Sequence, residues 1–174
     1  MALATVWNQR LSGGVTAREL THDDDDLIYA FQAAHPTYFG HFQDHPVTRQ
    51  EAIQDVTDMP LNAVPEQKAY LGLFQDGELK VLVDLIVDYP LPSLAWLGMW
   101  MIAKDVSTDQ SAEWYRSLTA TLQEAGAVQL QLSVFMGDRV MKPFWEDLGL
   151  TAVQTTTVIK GDRNANVTIY QDKF

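Results

Sequence analysis

Leu94-Ala95-Trp96-Leu97-Gly98-Met99-Trp100-Met101-Ile102 is a run without a single charged side chain. Such an unbroken apolar stretch suits a strand covered on both faces, the usual state of a central strand in a layered sheet. Downstream of it, Tyr115, Leu118, Thr119, Leu122 and Ala125 recur at helical spacing, and Gly126 closes the helix. Val128, Leu130, Leu132 and Val134 then alternate with Gln129, Gln131 and Ser133, the period-two pattern of another strand. Phe144, Trp145 and Leu148 form the apolar side of a short helix stopped at Gly149. Pro143 falls in its first turn, where a missing N–H breaks no bond. Val153 to Ile159 and Val167 to Tyr170, separated by the polar loop Gly161 to Asn166, read as a closing strand pair.

Upstream, Val15 to Leu20 alternates as a first strand, and Thr21 with the Asp23 to Asp26 run opens a helix carrying Leu27, Ile28, Phe31 and Ala34. Acidic residues suit a first turn because its amides lack partners. His35-Pro36 ends that helix. Thr48-Arg49-Gln50-Glu51 has the spacing of a capping box and opens a second one. Pro60 to Pro65 is a loop. Ala69 to Phe74, the turn Asp76-Gly77 and Leu79 to Val87 form a hairpin, since Asp-Gly tolerates the positive φ of tight turns. The element order is therefore β α α β β β α β α β β. Residues 1 to 13 show no firm period and read as an N-terminal extension to one domain over 14 to 174.

The chain has 174 residues, 47% of them hydrophobic, no cysteine and a formal net charge of −11. One domain of this size buries roughly 70% of the surface its unfolded chain exposes, enough for a core without staples. The absence of cysteine excludes a disulfide scaffold, a cysteine nucleophile and a thiolate metal site. The negative charge argues against nucleic acid, whose binding rests on clustered Lys and Arg, and favours small cationic partners. No stretch reaches the ~20 apolar residues of a membrane span, and the first residues lack a signal-peptide pattern. The expectation is a cytoplasmic protein with no membrane partner, so Asn166-Val167-Thr168 is not read as a glycosylation site. His35, His41 and His45 lie close in sequence, but Gly40 and Pro46 bracket the latter two and favour loop over a helical metal pair. No metal is expected. Walker, G-x-G-x-x-G and G-x-S-x-G motifs are missing.

The strand, helix, strand and short helix from Leu94 to Leu150 resemble the GCN5-related N-acetyltransferases. The most specific piece is Asp138-x-x-Met141-x-x-Phe144-Trp145-Glu146-Asp147-Leu148-Gly149-Leu150, similar to that family's N-x-x-A-x-x-F-[YW]-x-x-x-G-F ending. Leu71 to Phe74, Asp76 to Leu79 and Asp84 to Pro90 resemble the hairpin of one bacterial branch. The resemblance covers residues 15 to 172. It implies an α/β (α+β) fold with a mixed, mostly antiparallel seven-stranded sheet whose fourth and fifth strands splay apart. It also implies an N-acetyltransferase that takes acetyl-CoA as donor and a primary amine of a small cationic molecule or peptide as acceptor.

The same resemblance implies cofactor contacts at Trp100, Met101 and Ile102 on the splayed strand. A pyrophosphate loop is expected over Gln110, Ser111, Ala112, Glu113, Trp114 and Tyr115, with a further contact at Asp138. That loop lacks the family's glycines, which allow backbone to approach phosphates closely, and Glu113 would repel them. Lys104 and Arg116 are the local cations. Trp145 stands where many relatives carry a tyrosine acid, and an indole N–H cannot serve as one. Asp84 and Tyr89 are the candidate catalytic residues, with Asp84 read either as a structural acceptor for a neighbouring backbone amide or as base or amine anchor. Tyr38 and Asp88 are the candidate substrate contacts. The lost glycines also fit a different class of protein, one that keeps the fold as a ligand-binding or interaction module. Either a monomer or a homodimer is compatible with the sequence.

Overall fold

The computed structural model describes residues 2–160 and 163–174. Its strands are β1 (Val15–Glu19), β2 (Lys68–Gln75), β3 (Glu78–Ile86), β4 (Leu94–Ile102), β5 (Gln129–Phe135), β6 (Thr151–Lys160) and β7 (Arg163–Lys173). Its α-helices are α1 (Leu3–Trp7), α2 (Asp25–Ala33), α3 (Pro36–Phe39), α4 (Arg49–Gln54), α5 (Thr108–Glu124) and α6 (Met141–Asp147). The strands form one seven-stranded sheet in the order β1-β2-β3-β4-β5-β7-β6. β4 and β5 run parallel, and every other neighbouring pair is antiparallel. This is the mixed, mostly antiparallel sheet that the resemblance implied.

Side-chain alternation divides the core into two layers. On one face Leu71, Leu73, Val81, Val83 and Leu85 pack with Trp7, Trp114, Tyr115, Leu118 and Trp145, which come from α1, α5 and α6. On the other, Tyr70, Leu82, Met99 and Met101 pack with Ile28, Phe39, Val47 and Ala52, from the α2 to α4 side. Within the expected extension, residues 3 to 11 pack on this core. Trp7 is wholly buried, its indole N–H donates to Ser117 Oγ at 2.7 Å, and Arg10 pairs with Glu124. An aromatic of this size anchors a five-residue helix too short to hold by itself.

In β4 the alternation breaks. Ala95 and Leu97 face the first layer, but so does Trp100, while Met99 and Met101 face the second. The inversion comes from a bulge: Leu85 pairs with Leu97 and Asp84 with Met99, so Gly98 is one residue extra. A bulge bends its strand and interrupts pairing, and here it coincides with the end of the β4–β5 ladder, which runs only from Leu94↔Gln129 to Leu97↔Leu132. Beyond those pairs the two strands splay.

The long helix begins earlier than its apolar spacing suggested. It starts at Thr108, after Ser107, whose Oγ accepts the Gln110 N–H at 3.1 Å. The signal was present as Ser107-x-x-Gln110, the capping-box spacing. The capping box at Thr48 and Glu51 forms as expected, with both reciprocal bonds, at 3.2 and 3.1 Å. The expected loop Gly161 to Asn166 is corrected at its end, since β7 already begins at Arg163; Gly161 and Asp162 lie outside the described residues. Among the described residues no helix is long and apolar enough to cross a membrane.

Candidate active site

The splay leaves a small cavity of about 100 Å³ between β4 and β5, lined by Gly98, Ser133, Phe135, Asp138, Trp145 and Tyr38 among others. It adjoins a larger cleft of about 570 Å³ that runs past Met99 to Lys104 and the start of α5 toward α6. Tyr38, Met99, Trp100, Asp138 and Met141 line both spaces. Ala103 N–H donates to Lys80 O on β3 at 2.8 Å. Strand alternation then turns the backbone groups of Trp100 and Ile102 the other way, into the gap that β5 has vacated. Those groups add backbone donors and acceptors to a channel of mixed polar and apolar lining.

The residues expected to bind a cofactor separate into three sets. Trp100 and Ile102 have backbone groups at the gap, although the Ile102 carbonyl already accepts from His35, whose Nε2 is 2.7 Å away. Met101 lines the cleft by its side chain, but its backbone belongs to the β3 ladder, opposite Leu82. Gln110 to Tyr115 are not a loop, because α5 begins at Thr108. Ser111 faces the cleft, where its hydroxyl accepts the Trp100 indole N–H at 3.1 Å. Ala112, Trp114 and Tyr115 are buried helix residues, and the Tyr115 hydroxyl donates to Asp172 at 2.9 Å. Burial pushes the Tyr115 hydroxyl far above its ordinary value and raises the Asp172 carboxyl too. Glu113 is exposed on the second turn and does not line the cleft. The carboxylate in the first turn is Asp109, and the chain entering α5 through Lys104, Val106, Ser107 and Thr108 forms that wall. Arg116 lies still further along the helix, so Lys104 is the cation at this end.

Asp138 lines both spaces, and its Oδ1 accepts the N–H groups of Val140 and Met141 at 3.0 and 2.9 Å. It therefore opens α6. Trp145 is buried edge-on to Phe144 and Tyr115.

Asp84 stands next to Gly98, which lines the gap, but is not itself in the lining of either space. It lies beside the bulge: a side chain on Gly98 would place its first carbon 3.4 Å from Asp84 Oδ2. Its other oxygen is 2.7 Å from Lys68 Nζ, which also donates to Asp58 O at 2.7 Å. Lys68 keeps only 7% of its side chain exposed, so the pair is largely screened from solvent. Next to Asp84 on β2 stands Tyr70, with its hydroxyl held far above its ordinary pKa by burial and by the charges of Asp55 and Asp84.

Asp88 and Tyr89 are not in this site. β3 ends at Ile86, so the alternation that would align Asp88 with Asp84 stops short of it. Asp88 sits in the turn at φ +52° and accepts the Ser93 N–H at 2.8 Å. Tyr89 donates to Leu61 O at 3.2 Å. Both lie at the end of β4 where the ladder to β5 is still closed. Tyr38 is at the site, edge-on to Phe135 across the gap. The histidines form no metal centre: among the described residues no group of three His, Asp or Glu is disposed to hold an ion. The sequence reading missed the Gly98 bulge, Ser107, Thr108, Lys68 and the backbone acceptor held by His35. Gly98 had left a trace, as a small residue interrupting a run of large ones, and Ser107 another, in its capping spacing to Gln110.

No protein-family model and no curated protein matches the sequence. Solved structures do match the fold. An acetyltransferase from Thermus thermophilus superposes with a TM-score of 0.75 at 18% identity, over 93% of this chain and 98% of that one. A probable acetyltransferase of the GNAT family from Chromobacterium violaceum gives 0.73 at 10% identity, over 94% and 90%. The ribosomal-protein-S18-alanine N-acetyltransferase from Escherichia coli gives 0.63 at 15% identity, over 90% and 92%. The chain has the fold of the GCN5-related N-acetyltransferases.

Proposed function

We propose that this protein is an acyltransferase that moves an acetyl group from acetyl-CoA to a primary amine of a small cationic molecule or peptide. The observation that carries the reading is the opening of the sheet beside a carboxylate: β4 and β5 part at Gly98, next to Asp84. The residues along the gap suit the pantetheine arm of the donor. The Trp100 N–H and C=O and the Ile102 N–H are backbone partners for its amides, and Met99, Met141 and Phe144 are apolar walls. At the far end the amides of Thr108 and Asp109, at the positive end of α5, and the Lys104 ammonium suit the diphosphate. When bound, the coenzyme supplies an acetyl thioester, a carbonyl open to attack by a neutral amine.

The chain's own part is to hold the amine and remove its proton. Asp84 accepts that proton at Oδ2, the oxygen beside the bulge, while Lys68 fixes the carboxylate from the other side. Tyr38 and Phe135 wall the approach, and Trp145 fills the base of the gap and keeps water out without itself giving up a proton.

Asp109 favours a second reading, a binding module without turnover. It puts a negative charge where the diphosphate would lie, and no glycine lies between Gly98 and Gly126. Thermal unfolding with acetyl-CoA and CoA, followed by assay of free thiol on adding amines, tests both. Saturation at a hundred times Kd should add about 2.7 kcal/mol of stability. Thiol release then supports the transferase, binding without release supports the module, and no shift at millimolar coenzyme overturns both.

A further inference from the structure

We infer that the acceptor carries two positive groups, and that the one not acetylated is held in a separate cavity between α2, α3 and α4. The inference rests on the acyl-transfer reading for the reacting nitrogen only. This cavity, about 200 Å³, is lined by Glu51, Asp55, Asp58, Gln32, Tyr38 and Met99 among others. Three of these are carboxylates, and among the described residues no basic side chain lines it. Tyr38 and Met99 also line the gap between β4 and β5, so the two spaces meet there.

A second observation points to a ligand. Gln32 is wholly buried in the wall of the cavity, and its Nε2 donates to Asp55 Oδ2 at 2.8 Å and to the Tyr70 hydroxyl at 3.2 Å. Its Oε1 has no hydrogen-bond partner among the described residues. A buried acceptor of this kind is costly to leave unmet, and an ammonium brings three donors. Of the described basic side chains on the surrounding elements, Lys68, His45 and Arg163 each reach a residue of the lining, and Arg49 pairs outside it. Arg49 pairs with Asp25 and Asp26, Lys68 with Asp84 and the Asp58 carbonyl, and Arg163 Nη2 donates to the Gln43 carbonyl. His45 contacts Glu51 and Asp44. The Glu51 carboxyl is held below its ordinary value, because bonds from the Thr48 amide and His45 outweigh its burial, so it is ionised in neutral solution. Metal is the poorer occupant, since no three ligands converge. Tyr38, Phe39 and Phe42 supply aromatic surface of the kind that attracts organic cations. A terminal diamine or a peptide amine followed by a basic side chain has this chemistry.

Calorimetric titration of the full chain with the terminal diamines of butane, hexane and octane, each against the matching monoamine, tests it. At least one diamine should bind about tenfold tighter than its monoamine, the scale of one added charge contact. Asp55→Asn should erase that preference, and Asp58→Asn, at an exposed residue that leaves the core intact, should weaken it. Equal affinity for every pair, including no binding by either member, overturns the inference, as does a preference that survives both variants. Acetyl-CoA binding is measured on the same protein. Coenzyme binding without a diamine preference removes only the second cavity's role; a diamine preference without coenzyme binding removes only the acyl-transfer reading.

Discussion

The lower half of the β4–β5 pair and its upper half are made by the same two strands and behave in opposite ways. Below Gly98, Ala95 and Leu130 are fully buried and the ladder is closed. Above it, the strands part and Gly98 itself is exposed in the centre of a sheet. One inserted residue separates a region that stabilises the molecule from a region that can bind something. The difference teaches that the site is not carved from the core but obtained by withholding pairing, which leaves the packing underneath intact.

The largest effect that would break this division is Asp84→Asn. Removing the proton acceptor at the upper half should lower kcat about 10²- to 10⁴-fold while the KM for acetyl-CoA stays unchanged. Steady-state kinetics checks it, and full turnover would remove Asp84 from the mechanism. In the lower half, Leu130→Ala should cost about 2–5 kcal/mol, read by denaturant unfolding, with coenzyme affinity of the folded protein unchanged. Ser107→Ala sharpens the comparison with the smallest effect. Loss of the α5 cap should cost about 1 kcal/mol and weaken coenzyme binding at the same time, because the cap and the anion-facing amides share one turn.

The fold was largely legible because its signals are local. The apolar run at Leu94 to Ile102, the alternation at Val128 to Val134 and the capping box at Thr48 each act within a few residues. The site was legible only in part. Asp84 stood out as a charge in an apolar strand, and Tyr38 as an aromatic just after the His35-Pro36 break, where the structure forms α3. The loop expected over Gln110 to Tyr115 is helix in the structure, because Ser107 has already begun α5. Asp88 lies away from Asp84 because period-two counting has no way to know that β3 ends at Ile86, and Tyr89 follows Asp88 in the same turn region.

By itself the sequence determined the layers: which residues are apolar at which period, and so which elements form and which faces they bury. The absence of cysteine and the negative charge set the chemistry open to it. Only the tertiary structure decided where β4 changes phase, that Lys68 meets Asp84, and that Gln32, Asp55 and Tyr38 surround one cavity. The physical reason is range. Periodicity and capping are interactions between neighbours in the chain. A bulge is defined by the partner strand it fails to match, and a cavity by elements dozens of residues apart.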